Sequence, residues 1–311
     1  MPQPTVILHG GAGSSLQDKG GLLPVRQSLH TIVSQVVQAL KEGATAIEAV
    51  VLGCRLLEDE PRFNAGTGSV LQSDGQIRMS ASLMDGQRQS LSGVINVSRV
   101  KNPIDLAHWL QRCPDRILSD VGAAELAREL QLPVYQPLTD QRLYEWLEER
   151  KGNFQKSMAA VVAEQARRGT IGVVVLDQQG HLAVGTSTGG KGFERIGRVS
   201  DSATPAGNYA NSLAAVSCTG IGEDILDEAL AARIVVRVTD GLSLEAAFEK
   251  SFREAASRQR DFGAIGLDYR GAIAWGKTCD VLLAAYWDGT TIGDTLELPP
   301  GLQVGSRNPL S

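Results

Sequence analysis

Thr170 stands after a glycine and at the head of an apolar run, Gly169-Thr170-Ile171-Gly172-Val173-Val174-Val175-Leu176-Asp177. A threonine hydroxyl is a poor nucleophile at neutral pH and needs a base within hydrogen-bond reach. No Ser-His-Asp set can be argued from the spacing, and no G-x-S-x-G elbow occurs. A free α-amine on the threonine itself would serve, because it titrates near ~8 and belongs to the same residue. Cutting the chain between Gly169 and Thr170 would create that amine. A residue without Cβ at 169 lets the backbone bend while the hydroxyl attacks the preceding carbonyl. Taken alone, a Gly-Thr pair before a strand is equally well explained as a plain strand start.

Three later clusters bear on this chemistry. Gly185-Thr186-Ser187-Thr188-Gly189-Gly190 ends the strand that follows Thr170-Asp177 through the turn Gln178-Gln179-Gly180. A hairpin of that kind brings Thr188 near Thr170. Thr219-Gly220 closes another apolar run, and its hydroxyl and backbone N–H can stabilise a tetrahedral oxyanion; the competing explanation is a helix N-cap before Glu223. Gly197-Arg198-Val199-Ser200-Asp201-Ser202 sets a cation and an anion three residues apart in a loop. Arg198 can take an α-carboxylate bidentately while Asp201 takes an α-ammonium; a local ion pair of little energetic weight is the alternative. Gly220-Ile221-Gly222 is a fragment of a dinucleotide fingerprint without its third glycine or its βαβ setting.

The elements that must position these residues follow from periodicity. Thr5-Val6-Ile7-Leu8 reads as a buried strand ended by the glycine loop His9-Gly10-Gly11-Ala12-Gly13. Ser28 to Lys41 carries an apolar helical stripe, and a second helix opens at the capping box Thr45/Glu48. The acids of Leu57-Glu58-Asp59-Glu60-Pro61 read as a solvated helix end before a proline stop. Val70 to Asp85 reads as a hairpin turning at Ser73-Asp74-Gly75, and Gly93 to Val97 as a strand. Helices are expected over Ile104–Gln111 and Asp120–Leu130. From Thr139 to Gly169 the chain starts helical over Glu145–Gly152, then frays into a polar tract that reads as a linker, with Arg167-Arg168 near its end. Beyond Thr170, strands at Ala215–Cys218, Ala264–Asp268, Ala272–Trp275 and Val281–Trp287 alternate with helices over Glu223–Thr239 and Ser243–Arg258. Helices in consecutive pairs and clustered strands suggest helix layers on a central β sandwich.

Composition sets the outer bounds. The 311 residues, 42% hydrophobic and 21% charged, suit a globular domain. Thirty Lys and Arg against 35 Asp and Glu give a formal charge of -5, which argues against nucleic acid as the main partner. No run is apolar enough to cross a bilayer and the first residues show no signal-peptide pattern. Cys54, Cys113, Cys218 and Cys279 are far apart, as expected of reduced thiols in a cytoplasmic protein. The histidines His9, His30, His108 and His181 form no zinc pattern.

Taken together, several short motifs identify a likeness. They are His9-Gly10-Gly11-Ala12-Gly13, Phe63-Asn64-Ala65-Gly66, Met84-Asp85-Gly86, Gly169-Thr170-Ile171-Gly172, Ser187-Thr188-Gly189-Gly190, Gly197-Arg198-Val199 with Asp201-Ser202, and Ser217-Cys218-Thr219-Gly220 with Gly222-Glu223. In this order, over nearly the whole chain, the sequence resembles the plant-type asparaginases. These are also called isoaspartyl or β-aspartyl peptidases, N-terminal nucleophile hydrolases made as inactive precursors. The resemblance implies an α+β fold, a four-layer αββα sandwich. It also implies cleavage between Gly169 and Thr170, giving an α subunit (1–169) and a β subunit (170–311) of one folded domain. Two such pairs would assemble as a dimer of heterodimers. Carried over, Thr170 is the nucleophile with its own amine as base, and Thr188 supports it. Thr219 and Gly220 form the oxyanion hole, and Arg198 and Asp201 grip the substrate's α-carboxylate and α-amine. Gly222 lines the pocket and Asn64 approaches from the α subunit. No catalytic cofactor is implied. A structural sodium ion would be held by the backbone carbonyls of Leu57, Glu58, Glu60, Phe63, Ala65 and Thr67. The implied substrates are small: isoaspartyl dipeptides, L-asparagine and β-aspartyl-arginine.

Other functions are weighed against this one. Related glycosylasparaginases carry Asp directly before the threonine, so Gly169 points away from them. A non-catalytic amino-acid-binding protein would need Arg198 and Asp201 but not the hydroxyls of Thr170, Thr188 and Thr219. Two departures from the family pattern stand out. Met79-Ser80-Ala81-Ser82 lacks an acidic residue expected before Met84-Asp85-Gly86. Gly276-Lys277-Thr278-Cys279-Asp280 replaces a common Asn-Thr-Glu-Gly-Met, which leaves the leaving-group preference open.

Overall fold

A computed structural model describes residues 3–13, 16, 19–152 and 169–308. The expected linker residues 153–168, with Arg167 and Arg168, lie outside the described residues. The described chain is mixed α+β with two sheets. In order it runs β1 (Thr5–Gly13), α1 (Leu22–Lys41), α2 (Ala46–Asp59), β2 (Met79–Asp85), β3 (Ser90–Val97), α3 (Pro103–Leu110), β4 (Ile117–Ser119), α4 (Asp120–Glu129) and α5 (Asp140–Lys151). After residue 169 come β5 (Ile171–Leu176), β6 (Leu182–Thr188), β7 (Asn208–Ala210), β8 (Ala214–Gly220), α6 (Gly222–Glu228), α7 (Leu230–Thr239) and α8 (Leu244–Ser257). Strands β9 (Phe262–Asp268), β10 (Ile273–Lys277), β11 (Val281–Trp287), β12 (Ile292–Asp294) and β13 (Gln303–Arg307) close the chain.

The larger sheet has eight strands in the order β12-β11-β1-β5-β6-β2-β3-β4, and the smaller has five, β13-β10-β9-β8-β7. Three apolar clusters follow from strand alternation, since successive side chains face opposite sides of a sheet. Val6, Leu8, Val173, Val175 and Ala183 point one way and bury against α1 to α4. Val216, Cys218, Ala264 and Ala274 of the smaller sheet bury against α6 to α8, where Phe248 and Phe252 dominate. Ile7, Val174, Leu176, Leu182 and Val184 face the other way, and share a core with Ala215, Ile265, Leu267 and Leu282. The two sheets therefore meet face to face over this third cluster.

Several expectations need correction. Helix α1 starts at Leu22, before the expected Ser28, and buries Val25 as well as the predicted stripe. The glycine stretch His9–Gly13 continues strand β1, with a register irregularity between His9 and Ala12. Of the expected Val70–Asp85 hairpin only Met79–Asp85 is strand; it pairs with β3 and β6, while Gly75 N–H turns back to the Gln72 carbonyl at 2.9 Å. The helix expected over Glu223–Thr239 breaks at Ala229, which adopts φ 46°. The start of the expected linker is helical as read, but docked: Trp146 indole N–H donates to the Gln72 carbonyl at 2.9 Å, and buried Arg142 donates to the Gly68 carbonyl at 2.8 Å. Glu58 is not on a solvated helix end. It is fully buried at the end of α2, accepts from Ile104 N–H at 3.2 Å, and burial pushes its carboxyl up to about 8. The helical period does place Glu58 on the buried stripe, four residues after Cys54 and seven after Val51, but a run of three acids reads as surface.

Candidate active site

The site lies where the inter-sheet core changes from apolar to hydroxyl-bearing. On β5 the inward parity runs Leu176, Val174, Gly172 and then Thr170. On β6 it runs Leu182, Val184, Thr186, Thr188; on β8 Ala215, Ser217, Thr219; on β1 Ile7, then His9. Register aligns these ends, since Gly172 pairs with His9 on one side and with Thr186 on the other. The same alternation that builds the core thus delivers four polar ends to one place.

Thr170 is 8% exposed, and its Oγ1 donates to Thr188 Oγ1 at 3.1 Å. Thr188 Oγ1 also accepts from Gly190 N–H at 3.1 Å. Thr219 Oγ1 lies 3.4 Å from the Thr170 carbonyl oxygen, to which it donates. Gly220 takes φ 130°, and a Cβ there would lie 2.6 Å from Phe262 Cα, so both backbone angle and space require glycine. Gly169 packs on the β1 backbone in the same way: a Cβ would lie 2.7 Å from the Gly10 carbonyl oxygen and collide with Gly11 Cα.

Asn64 borders the same peptide. Its N–H donates to the Gly169 carbonyl at 3.3 Å, and its side chain ties Val70 N–H (3.0 Å) to the Gly190 carbonyl (2.7 Å). The loop carrying Asn64 is thereby stitched to the end of β6, where Thr188 sits.

Arg198, Asp201 and Gly222 converge beside this group. A Cβ on Gly222 would lie 2.6 Å from an Arg198 Nη and 2.7 Å from Asp201 Oδ1. The local Arg198–Asp201 ion pair weighed as the alternative to a clamp is not the one formed. Arg198 instead meets Glu223 with Nε and Nη2 at 2.9 and 3.2 Å. Burial works against the Arg198 charge, but Glu223, with Asp201 and Glu194 nearby, raises the guanidinium pKa in spite of it. Asp201 is 3% exposed; Ser200 Oγ donates to its Oδ1 at 3.2 Å, while its buried Oδ2 has no partner. Burial pushes the Asp201 carboxyl up to about 6, against the pull of Arg198.

Sequence reading missed the residues behind Thr170. His9 is fully buried; its Nδ1 is 2.9 Å from the Thr170 carbonyl oxygen and its Nε2 2.8 Å from Ser217 Oγ. Burial lowers the His9 pKa to about 3. Ser217 continues to Thr186 Oγ1 at 2.7 Å, and Thr186 to Asn208 at 3.1 Å. The signal was present: Ser217 shares strand parity with Thr219, and His9 with Ile7. Among the described residues, no group of three or more His, Cys, Asp or Glu is placed to hold a metal ion.

Two sheets meeting over a core, with a hydroxyl cluster and an arginine–aspartate pair at one end, define a class that comparison identifies. A family profile described as Asparaginase matches residues 2–297, and the chain belongs to that family. It is 68% identical over 311 residues to a Nostoc sp. protein named isoaspartyl peptidase/L-asparaginase, covering 98% of each chain. A Synechocystis sp. protein of the same name is 64% identical over 98% of this chain and 94% of its own. A plant-type L-asparaginase from Pyrococcus abyssi is 36% identical over 88% of this chain and 92% of its own.

Proposed function

We propose that this protein is an autoprocessing isoaspartyl peptidase and L-asparaginase. The observation that carries the reading is the Thr170–Thr188 hydroxyl pair at 3.1 Å, beside a peptide bond whose carbonyl already accepts from Asn64 N–H. Maturation begins when Thr170 Oγ attacks the Gly169 carbonyl carbon. The hydroxyl proton passes to the departing Thr170 nitrogen as the C–N bond breaks and an ester forms, and water hydrolyses the ester to a Gly169 carboxylate and the free hydroxyl and amine of Thr170. Asn64 N–H polarises the Gly169 carbonyl, and Thr188 orients the hydroxyl.

In the mature enzyme the Thr170 amine accepts the hydroxyl proton as Oγ attacks the side-chain carbonyl of a β-aspartyl amide. Thr219 Oγ1 and Gly220 N–H stabilise the oxyanion. The proton passes to the leaving amine, and a β-aspartyl ester remains on Thr170. Water, deprotonated by the same amine, releases aspartate. Arg198 binds the α-carboxylate and Asp201 the α-ammonium; Asp201 Oδ1, which with an Arg198 Nη flanks the space beside Gly222, is the acceptor such a cation needs. Gly222 leaves room for both, since any Cβ would press on them.

The reading extends to architecture and setting. Two helix-facing cores with a shared core between the sheets support a four-layer αββα sandwich. The halves on either side of the Gly169–Thr170 bond are α and β subunits, and two pairs form a dimer of heterodimers. Four free cysteines suit a reducing, cytoplasmic setting. No helix among the described residues is long and apolar enough to cross a membrane. A structural sodium ion fits the loop after α2: the Glu58 carbonyl crowds Gly66, and those of Pro61 and Phe63 crowd Gly68, where only a missing Cβ makes room. The carbonyls of Leu57, Glu58, Glu60, Phe63, Ala65 and Thr67 would hold it, and it would brace the loop that carries Asn64.

The test is a denaturing gel with N-terminal sequencing, followed by turnover of a β-aspartyl dipeptide, L-asparagine and an N-glycosylated asparagine. Two fragments, one starting at Thr170, and turnover of the first two substrates are expected. A single full-length band after prolonged incubation, or preference for the glycosylated substrate, would overturn the reading.

A further inference from the structure

The segment Gly276–Asp280 departs from the family pattern, and the mechanism above makes no use of it. Within it Lys277 is fully buried, which is rare for lysine. Its Nζ lies among four backbone carbonyl oxygens: Cys279 at 3.0 Å, Asp280 at 2.9 Å, Pro299 at 2.6 Å and Gly301 at 3.1 Å. An ammonium has three protons, so four acceptors exceed what directed hydrogen bonds require. Converging carbonyls at such distances are how proteins replace the hydration shell of a monovalent metal cation. Burial pulls the Lys277 pKa down, against the charges of nearby Cys279 and Asp280.

The cage is joined to the site through the next residue. Thr278 N–H donates to the Phe262 carbonyl at 2.9 Å, and Thr278 Oγ1 accepts from Phe262 N–H at 3.0 Å. Phe262 pairs with Gly220 across β8 and β9, and its Cα is the atom that leaves no room for a Cβ at Gly220. The Ile221 N–H donates to the neighbouring Asp261 carbonyl at 3.0 Å.

We infer that Lys277 is a resident cation filling an alkali-metal-type carbonyl cage, which fixes Thr278 and Phe262 and so positions the Gly220 peptide. Lys277 is then a positioning residue; its link to turnover rests on the function proposed above, whereas the cage itself does not. Truncating the side chain should turn a built-in cation into a binding site for a free one. The alternative, a lysine that merely fills space, predicts no such site.

The experiment compares Lys277→Ala, Lys277→Met and the parent enzyme in choline, potassium and ammonium chloride at equal ionic strength. In choline, Lys277→Ala should unfold at lower temperature and lose about tenfold in kcat, with KM within about twofold. Potassium or ammonium should raise its Tm progressively with concentration, beyond any response of the parent enzyme, as expected for a ligand of the native state. The kcat should recover in parallel. Lys277→Met, whose side chain occupies the cage, should show no rescue. If Lys277→Ala does not fold in choline, refolding yield in the three salts replaces Tm as the readout. Equal Tm, or equal yield, in choline and in potassium or ammonium overturns the inference, as does equal rescue of Lys277→Met. Cation-dependent Tm without a change in kcat would keep the cage but overturn the positioning role. Absence of turnover in the parent enzyme would count against the proposed function alone.

Discussion

The two ends of the site are built on opposite principles. Around Thr170 the contacting groups are neutral: two threonine hydroxyls 3.1 Å apart, a histidine held uncharged by burial, and glycines packed backbone to backbone. Around Arg198 they are charged, with a carboxylate at 3% exposure, an unpartnered Oδ2 and a guanidinium paired to a half-exposed Glu223. The first end is preorganised and has little to rearrange when a bond is made. The second holds desolvated charge that only a charged ligand can satisfy. On the proposed function the first should govern kcat and the second KM.

The largest expected effect tests the neutral end. Thr188→Val keeps shape but removes the partner of Thr170 Oγ1 and the acceptor for Gly190 N–H. A loss of about 10²–10³ in kcat is expected, with KM nearly unchanged and slower appearance of the Thr170 N-terminus. Steady-state kinetics and a gel time course check it. A change confined to KM would break the distinction between the two ends.

At the charged end, Asp201→Asn should raise KM for a β-aspartyl dipeptide by about 10- to 100-fold, because a charge-assisted hydrogen bond is lost. The same change should stabilise the unliganded protein at pH 7. A carboxyl moved from 3.8 to about 6 by burial corresponds to roughly 3 kcal/mol. The sign follows from proton linkage. Between 3.8 and about 6 the folded state binds more protons than the unfolded one, so stability falls as pH rises through that window and stays reduced above it. Thermal unfolding of parent and variant at pH 4 and pH 7 should show the gap opening at the higher pH. A destabilised Asp201→Asn at pH 7 would mean the charge is already satisfied.

The same carboxyl sets a pH limb for binding. Ionised Asp201 is needed to hold an α-ammonium, so kcat/KM should fall on acidification through about 6 in the parent. In Asp201→Asn that limb should vanish, at a lower plateau. Substrate-saturated kcat should show the inflection at lower pH, since a bound ammonium favours the ionised carboxylate.

Much of this arrangement could be read from the sequence, and the gaps have physical causes. Local hairpin logic put Thr188 beside Thr170, because Gln178-Gln179-Gly180 fixes which strand residues face each other. The core stripes of α1 and α2 follow from their 3.6-residue period. Long-range neighbours leave no such trace. The bond from His9 to Ser217 joins residues whose strands lie in different sheets, and no spacing encodes that distance. His9 read as the end of a strand because three glycines within four residues mark a turn in most settings. Here they let β1 run on beneath Gly169. Arg198 and Asp201 read as a clamp because a cation and an anion three residues apart suit the two charges of an amino acid; the pairing of Arg198 with Glu223, 25 residues on, has no such local signal. Docking of α5 was hidden because its single tryptophan is too little to show a stripe.

The smallest effect isolates the support behind the nucleophile. The Thr170 carbonyl can only accept, so His9 Nδ1 must carry the proton in that bond. Burial keeps the ring uncharged, with its pKa lowered to about 3, so Nε2 must be the acceptor from Ser217 Oγ–H. Ser217 thus fixes the histidine tautomer that holds the backbone of residue 170. Ser217→Ala leaves Nε2 buried without a donor, a loss of about 1–3 kcal/mol in stability. A Cβ on Gly172 would come within 2.9 Å of Ser217 Cβ, so the cavity is tightly lined and has little freedom to collapse. Turnover should fall only a few-fold, all of it in kcat, because the hydroxyl pair and the clamp stay in place. The acid limb assigned to Asp201 should not move. A shifted limb would mean that the polar chain from His9 through Ser217, Thr186 and Asn208 carries charge between the two ends. In that case the neutral and charged ends would be one titrating unit, and kcat and KM could no longer be separated.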